Sequence, residues 1–444
     1  MFFFGFSNGT TLDARCPSMI SGLDFLLVID NASARFSKAK SGIGKHSGLD
    51  KLSLMFASEQ ATVMYTLRQL IIPCSLAGLI GYQSLTVLPI ILGALVDYRG
   101  FTLANVGYVG SVEILGMALA VAVTTGLINR VRRNRLAFSA AIALGLTQIS
   151  SAFTLDPSLF FAERFLAGLT AGCMAGVLAS TIALAREPER LTAFIYLIDA
   201  LLASAFYLGL PLVLARFDLA GAYALLGGVT ILMSPVFLML PAHGPAAAAA
   251  SAGFRKDALR VIAFAVILSA ATAALWTFTE RMALQVGLTV PQIGQVFAGG
   301  LLVGIMGASL AAWVGDRFGS ARPIMLAWTM VLALAFAVPY LPTPVAFILG
   351  FCLLRFFMNI NDPFIVGVVA RLDVEGRLTT IFAASGLFGA AIGPFLASTI
   401  SGDGDFTRLA WAFLLMGSCA FILFAQFLKR PEITRTGTQV TPSD

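Results

Sequence analysis

Charge is what this sequence lacks most: Asp, Glu, Lys and Arg make up only 12% of its 444 residues, against 58% hydrophobic residues and a mean hydropathy of +0.88. A water-soluble fold has too little interior to hide that much apolar surface, so the composition predicts a polytopic membrane protein. Histidine is nearly absent. His46 and His243 both lie outside the apolar runs, which leaves a histidine metal site or a catalytic triad almost nothing to be built from. The five cysteines are scattered with no Cys-x-x-Cys pair, so neither a disulfide framework nor a zinc site is implied. The stretch 41–45 (SGIGK) lacks the spacing and flanking elements of a phosphate loop, and no cofactor is called for. The formal charge of +6 does not point to nucleic acid. Its Lys and Arg fall in short clusters between apolar runs of about 20 residues, which is a topology signal rather than a basic binding face.

Residues 1–67 differ in kind from the rest, holding four of the six lysines among Ser, Gly and Asn, and read as a disordered tail or a misassigned start, with translation beginning at Met55 or Met64. From Arg68 onward, twelve apolar segments are long enough to cross a hydrocarbon core of about 30 Å as helices. Their approximate limits are 69–95, 102–128, 136–154, 158–184, 191–215, 219–240, 258–282, 291–314, 323–341, 344–369, 377–400 and 408–428. With the first span starting in the cytoplasm, sixteen Lys and Arg fall in inside loops and the C-terminal tail, and four (Arg99, Arg216, Arg281, Arg408) fall outside. That imbalance predicts both termini in the cytoplasm of a multi-pass protein in the inner (plasma) membrane.

Compared with itself at an offset of 187 residues, the chain repeats without a gap. Asn129-Arg130 falls on Asp316-Arg317, Arg135 on Arg322, Pro157 on Pro344, Arg190-Leu191-Thr192 on Arg377-Leu378-Thr379, and Gly100 and Gly107 on Gly287 and Gly294. Matches at Arg, Pro and Gly in loops carry weight that apolar matches do not. The predicted organisation is a six-helix half at 68–240, a cytoplasmic linker at 241–257, a second half at 258–430 and a tail at 431–444.

Asp316-Arg317-Phe318-Gly319 followed by Arg322, its weaker copy Asn129-Arg130 with Arg132 in place of the glycine, and Arg164-x-x-x-Gly168 in the fourth span resemble the turn and helix motifs of the major facilitator superfamily of secondary transporters. The resemblance covers nearly all of 68–430. It implies an all-α fold of twelve transmembrane helices as two six-helix pseudo-repeats that rock about a central site. It also implies that the Asp-Arg-x-Gly turns (Asp316, Arg317, Gly319, Arg322; Asn129, Arg130) latch the inner faces of the halves together. Leu208-Gly209-Leu210-Pro211 only poorly echoes the fifth-helix motif of antiporters, and the first span lacks the Asp-Gly-Phe-Asp of aromatic-acid symporters.

Ionisable groups inside spans are the default functional candidates, since each costs roughly 2.5–3.5 kcal/mol at the bilayer centre unless it faces a cavity or a partner. Counting along the helices places Glu113, Asp199 and Arg355 near the midplane, where the site of a two-half transporter lies. The expected roles are substrate binding by Arg355 and proton uptake by Glu113 or Asp199, because a carboxyl group in that setting can cycle between its charged and neutral forms near neutral pH. The structural alternative is a Glu113–Arg355 ion pair. Arg164 is either a proton-coupling arginine, as the resemblance implies, or a group neutralised near the outer mouth. Asn359, Tyr82, Gln83 and Trp276 are further substrate-binding candidates, and Asp362 reads as a partner for loop arginines. The glycine rows 168/172/176 and 300/304/307 read as close helix packing.

The expected function is secondary active transport of a small organic solute, proton-coupled, by a monomer in the bilayer. The alternatives are a facilitator without ion coupling or a non-transporting sensor or scaffold, and no catalytic constellation for an enzyme is present. Two tests follow from the sequence alone. N-terminal sequencing of the purified protein is expected to begin at Met55 or Met64, and peptides upstream of Met55 would exclude this. Asp316→Asn is expected to impair transport more than Asn129→Ala, because only Asp316 contributes charge to the latch; equal effects would rule the asymmetry out.

Overall fold

The computed structural model describes residues 65–128, 130–243, 256–315, 319–372 and 377–429. The tail before Tyr65 and the turn residues Asn129, Asp316 and Arg317 lie outside the described residues. Within them the chain is helix and turn, apart from one isolated bridge between Tyr65 and Ala185.

Eleven described helices are long and apolar enough to cross a bilayer. One of these, Pro188–Met239, is 52 residues long, roughly 78 Å at 1.5 Å per residue, and holds two spans divided at Asp218 (φ 55°, ψ −164°). The spans are α1 (Leu67–Arg99, broken at Tyr82), α2 (Leu103–Leu127), α3 (Arg133–Phe153), α4 (Pro157–Ile182), α5 (188–217) and α6 (219–239). They continue as α7 (Asp257–Gln285, broken at Phe278), α8 (Val290–Val314), α9 (Ala321–Tyr340), α10 (Pro344–Leu372), α11 (Arg377–Ser401) and α12 (Thr407–Leu428). Twelve spans thus stand where hydropathy placed them.

The offset of 187 is built into the backbone. It carries the bounds of α2, Leu103–Leu127, onto those of α8, Val290–Val314. Helix starts repeat with it: the Thr102 hydroxyl accepts from Asn105 N–H at the head of α2, and Thr289 forms a capping box with Gln292 at the head of α8. Asp156 caps α4 ahead of Pro157, and Thr343 caps α10 ahead of Pro344. Gly100 and Gly287 close the turns before α2 and α8 with φ of 66° and 92°, a conformation a side chain would strain. The copies differ at the basic turn, where Gly319 is left-handed (φ 67°) and its equivalent Arg132 is extended (φ −74°). An arginine cannot take the glycine conformation without strain, so the first turn is built differently.

One hydrophobic cluster draws only on residues before 241, another only on residues after 257, and the largest mixes both. Gly107 of α2 sits against Pro394 and Ser398 of α11, and its equivalent Gly294 of α8 sits against Tyr207 and Pro211 of α5. Those partners are themselves equivalent at 187, so one joint is made twice about a pseudo-two-fold axis.

Candidate functional site

The bundle has a basic end, carrying Arg130, Arg132, Arg186, Arg190, Arg322 and Arg371, and an opposite end, carrying Arg99, Asp97 and Arg281. Between the repeats lies a cavity, part of it continuous with the outside, lined from α1, α4 and α5 and from α7 to α12. Its wall reaches Ile182, Thr192, Val366 and Phe382, close to the basic ends of α4, α5, α10 and α11. On α1 it stops at Thr86, thirteen residues and roughly 20 Å short of Arg99. On α7 and α9 the wall also runs to Thr279 and Val338, near the opposite ends of those helices, so it is the direct contacts between the repeats there, together with this lining, that leave the basic end as the open one.

The opposite end is closed by direct contacts between repeats. Phe395 N–H donates to Ser111 Oγ at 2.8 Å, Ser398 Oγ donates to Leu103 O at 2.9 Å, and the rings of Tyr207 and Phe297 meet edge to face at 5.5 Å. Arg281 on α7 pairs with Asp97 on α1 at 2.8 Å and donates to the Gly93 carbonyl. It also lies 3.0 Å from Glu280, which is 2% exposed and packs against Gly93, its own equivalent in the first repeat. Sequence reasoning missed this latch because Asp97 and Arg281 fall at span ends, where charge is ordinary. The signal available was an opposite-charge pair on the corresponding first helices of the two repeats.

Glu113 and Arg355 do not pair. Glu113 lies 3.5 Å from Arg164, and the two are 6% and 1% exposed. Arg164 donates to Gln148 Oε1 at 2.8 Å and to Ser151 Oγ, and its guanidinium lies 4.7 Å from the ring centroid of Tyr223 and 5.5 Å from that of Phe160. Ser84 donates to Glu113 Oε1 at 2.6 Å. This network fills the interior of the first repeat and does not line the cavity. Arg164 stands seven residues, about two turns, into α4 and Glu113 ten residues into α2, and the length of the arginine side chain spans the difference. Gln83 is likewise turned away, buried and bonded to Thr230 on α6 at 3.3 Å.

The remaining candidates Asp199, Arg355, Asn359, Tyr82 and Trp276 all line the cavity, and so does Asp362, which the sequence placed with the loop arginines. Asp199 of α5 seats its carboxyl on Gly78 of α1, where any side chain would collide with it; its Oδ1 is buried without a hydrogen-bond partner. Arg355 of α10 stands 5.9 Å from the Trp276 ring centroid, and among the described residues no carboxylate lies within ion-pair distance of it. Asn359 Nδ2 donates to the Arg355 carbonyl at 2.8 Å. Among the described residues no three His, Cys, Asp or Glu side chains gather as a metal site.

Glycine decides which repeat shows its charge. In the first repeat the fourth helix carries the glycines: Gly168 and Gly172 of α4 press on the Glu113 and Met117 carbonyls of α2, and Gly176 on Thr124. In the second the glycines sit on the other partner: Gly300, Gly304 and Gly307 of α8 receive Phe351, Asn359 and Phe356 of α10. Arg355 and Asn359 occupy the places equivalent to Gly168 and Gly172, so the glycines of α8 make room for large polar groups on α10.

Two six-helix repeats enclosing a cavity that opens toward one end define a membrane carrier. The family model for the Major Facilitator Superfamily matches residues 74–358 and 260–442, and the chain belongs to that superfamily of secondary transporters. Among solved structures the fold is similar to that of the nucleoside transporter NupG (TM-score 0.64, 14% identity, 82% of this chain and 98% of that one). It is also similar to a D-xylose–proton symporter (0.62, 16%, 82% and 98%) and to a bacterial homolog of the human lysosomal transporter Spinster in an inward-facing and occupied conformation (0.61, 11%, 82% and 95%). No curated protein matches the sequence.

Because Glu113 is buried with Arg164 as its counter-charge, removing the arginine strands an anion. Arg164→Met is expected to lower stability by about 3–5 kcal/mol, with part of the loss recovered in the Arg164→Met/Glu113→Gln double variant, as read by thermal unfolding in detergent. An Arg164→Met protein as stable as the parent would contradict the pairing.

Proposed function

We propose that the protein moves a small organic solute across the inner (plasma) membrane by alternating access, coupled to protons. In this reading the basic end and both termini face the cytoplasm, the protein works as a monomer, and the structure is the inward-open state. The observation that carries the proposal is the central cavity, closed at the opposite end, where among the described residues Arg355 of the second repeat has no carboxylate within ion-pair distance, Asp362 acting on it only at longer range, and Asp199 of the first repeat has a carboxyl oxygen buried without a hydrogen-bond partner. Arg355 binds the solute. Asp199 takes up and releases the proton, in preference to Glu113, whose oxygens are engaged by Arg164 and Ser84. The Asp97–Arg281 latch parts when the opposite end opens, and the Asp316 turn closes the basic end in exchange.

Uptake of a solute panel into proteoliposomes tests this. Uptake of the transported solute is expected to rise several-fold when the outside is made acid relative to the lumen. Asp199→Asn is expected to abolish that gradient dependence, and Arg355→Ala to abolish uptake at an unchanged yield of folded protein. Uptake indifferent to the gradient would favour a facilitator, and parental uptake by Arg355→Ala would sink the assignment of the binding residue.

A further inference from the structure

Resting on the transport reading of the central cavity, we propose that its solute is an amphipathic organic anion, a monocarboxylate on an arylalkyl body, held with its head at Arg355 and its body along the apolar wall.

Several of the polar groups around Arg355 are engaged elsewhere. Trp276 Nε1 donates to the Leu85 carbonyl at 3.1 Å, the Tyr207 hydroxyl to the Thr86 carbonyl at 2.7 Å, and the Asn359 amide to the Arg355 carbonyl at 2.8 Å. What remains at the closed end of the cavity is a guanidinium among Leu275, Leu301, Phe351, Leu354 and the face of Trp276. A polyhydroxylated solute would lose its water there and find few partners for its hydroxyls, each left at a cost. A single anionic group on an apolar body fits instead: the guanidinium fork matches a carboxylate with two parallel hydrogen bonds, and the aromatic and aliphatic wall takes the rest.

The carboxyl groups of the cavity do not offer a comparable site for a cation. Asp199 is tucked into the seam between α1 and α5, with Oδ1 buried and the other oxygen against Gly78, and with Cys74 and Tyr82 of α1 in electrostatic range. Asp362 lies seven residues beyond Arg355 on α10, roughly 10 Å toward the mouth. Among the described residues that line the cavity, Arg355 is the one cation; it lies farther along α10 from the basic end than Asp362, and both Asp362 and Tyr207 are in electrostatic range of it.

Calorimetric titration of the purified protein in detergent with 4-phenylbutyrate, 4-phenylbutanol, 4-phenylbutylamine, xylose and uridine separates these chemistries on one scale. The acid is expected to bind about tenfold or more tightly than the alcohol of the same skeleton, and the sugar and nucleoside not to compete with it. Arg355→Gln is expected to erase the preference for the acid, and Arg355→Lys to keep part of it, which covers the case of a Gln variant that does not fold. The proposal is overturned if the alcohol or amine binds as tightly as the acid, if xylose or uridine competes, if the acid does not bind at all, or if the preference survives in Arg355→Gln. An acid that binds but is not moved in proteoliposomes would overturn the transport reading and leave the ligand class standing. A sugar or nucleoside driven by a pH gradient would do the reverse.

Discussion

Hydrocarbon offers no hydrogen bonds, and every other feature of this protein answers to that. Each peptide group has to find its partner along its own helix, so the chain is a set of long helices with polar residues pushed to their ends. Any charge left inside has to be compensated or useful. The two repeats show both outcomes at one seam. In the first, Glu113 and Arg164 satisfy each other with Gln148, Ser151 and two aromatic faces, and the seam is sealed. In the second, Arg355 lines the cavity beside the Trp276 ring, with no carboxylate among the described residues within ion-pair distance.

The difference comes from where glycine was placed. A close approach between the second and fourth helices of a repeat needs small residues at the contact, which in the first repeat come chiefly from α4, with Gly116 of α2 against the Phe165 carbonyl as well. With glycines on α4, the charge on α2 is pressed into the seam. With glycines on α8, the bulky partners on α10 gain the room to project. The duplicated fold thus buries its charge in the seam of the first repeat and leaves Arg355 on the cavity wall in the second.

Much of this was legible in the sequence, for identifiable reasons. Span limits followed from hydropathy, and the repeat from Arg, Pro and Gly in loops, where chemistry rather than composition has to match. Arg355, Asn359, Asp199, Tyr82 and Trp276 were found because polar or aromatic residues inside an apolar helix are few. Partnership was harder to read. Depth counted along a helix placed Glu113 near the midplane and left Arg164 open as a coupling group or one neutralised near the outer mouth; the reach of an arginine side chain joins the two, and which faces meet depends on helix rotation, which hydropathy does not report. Gln83 looked like a ligand-binding side chain by depth alone and is instead bonded to Thr230 on α6. The Asp97–Arg281 latch escaped because charges at span ends are expected on other grounds.

The joint made by Gly107 against Pro394 and Ser398 of α11 is made again by Gly294 against Tyr207 and Pro211 of α5, at positions related by the same offset of 187 residues. Two seams rather than one therefore hold the repeats together on that face, each built on a glycine that leaves no space for a side chain.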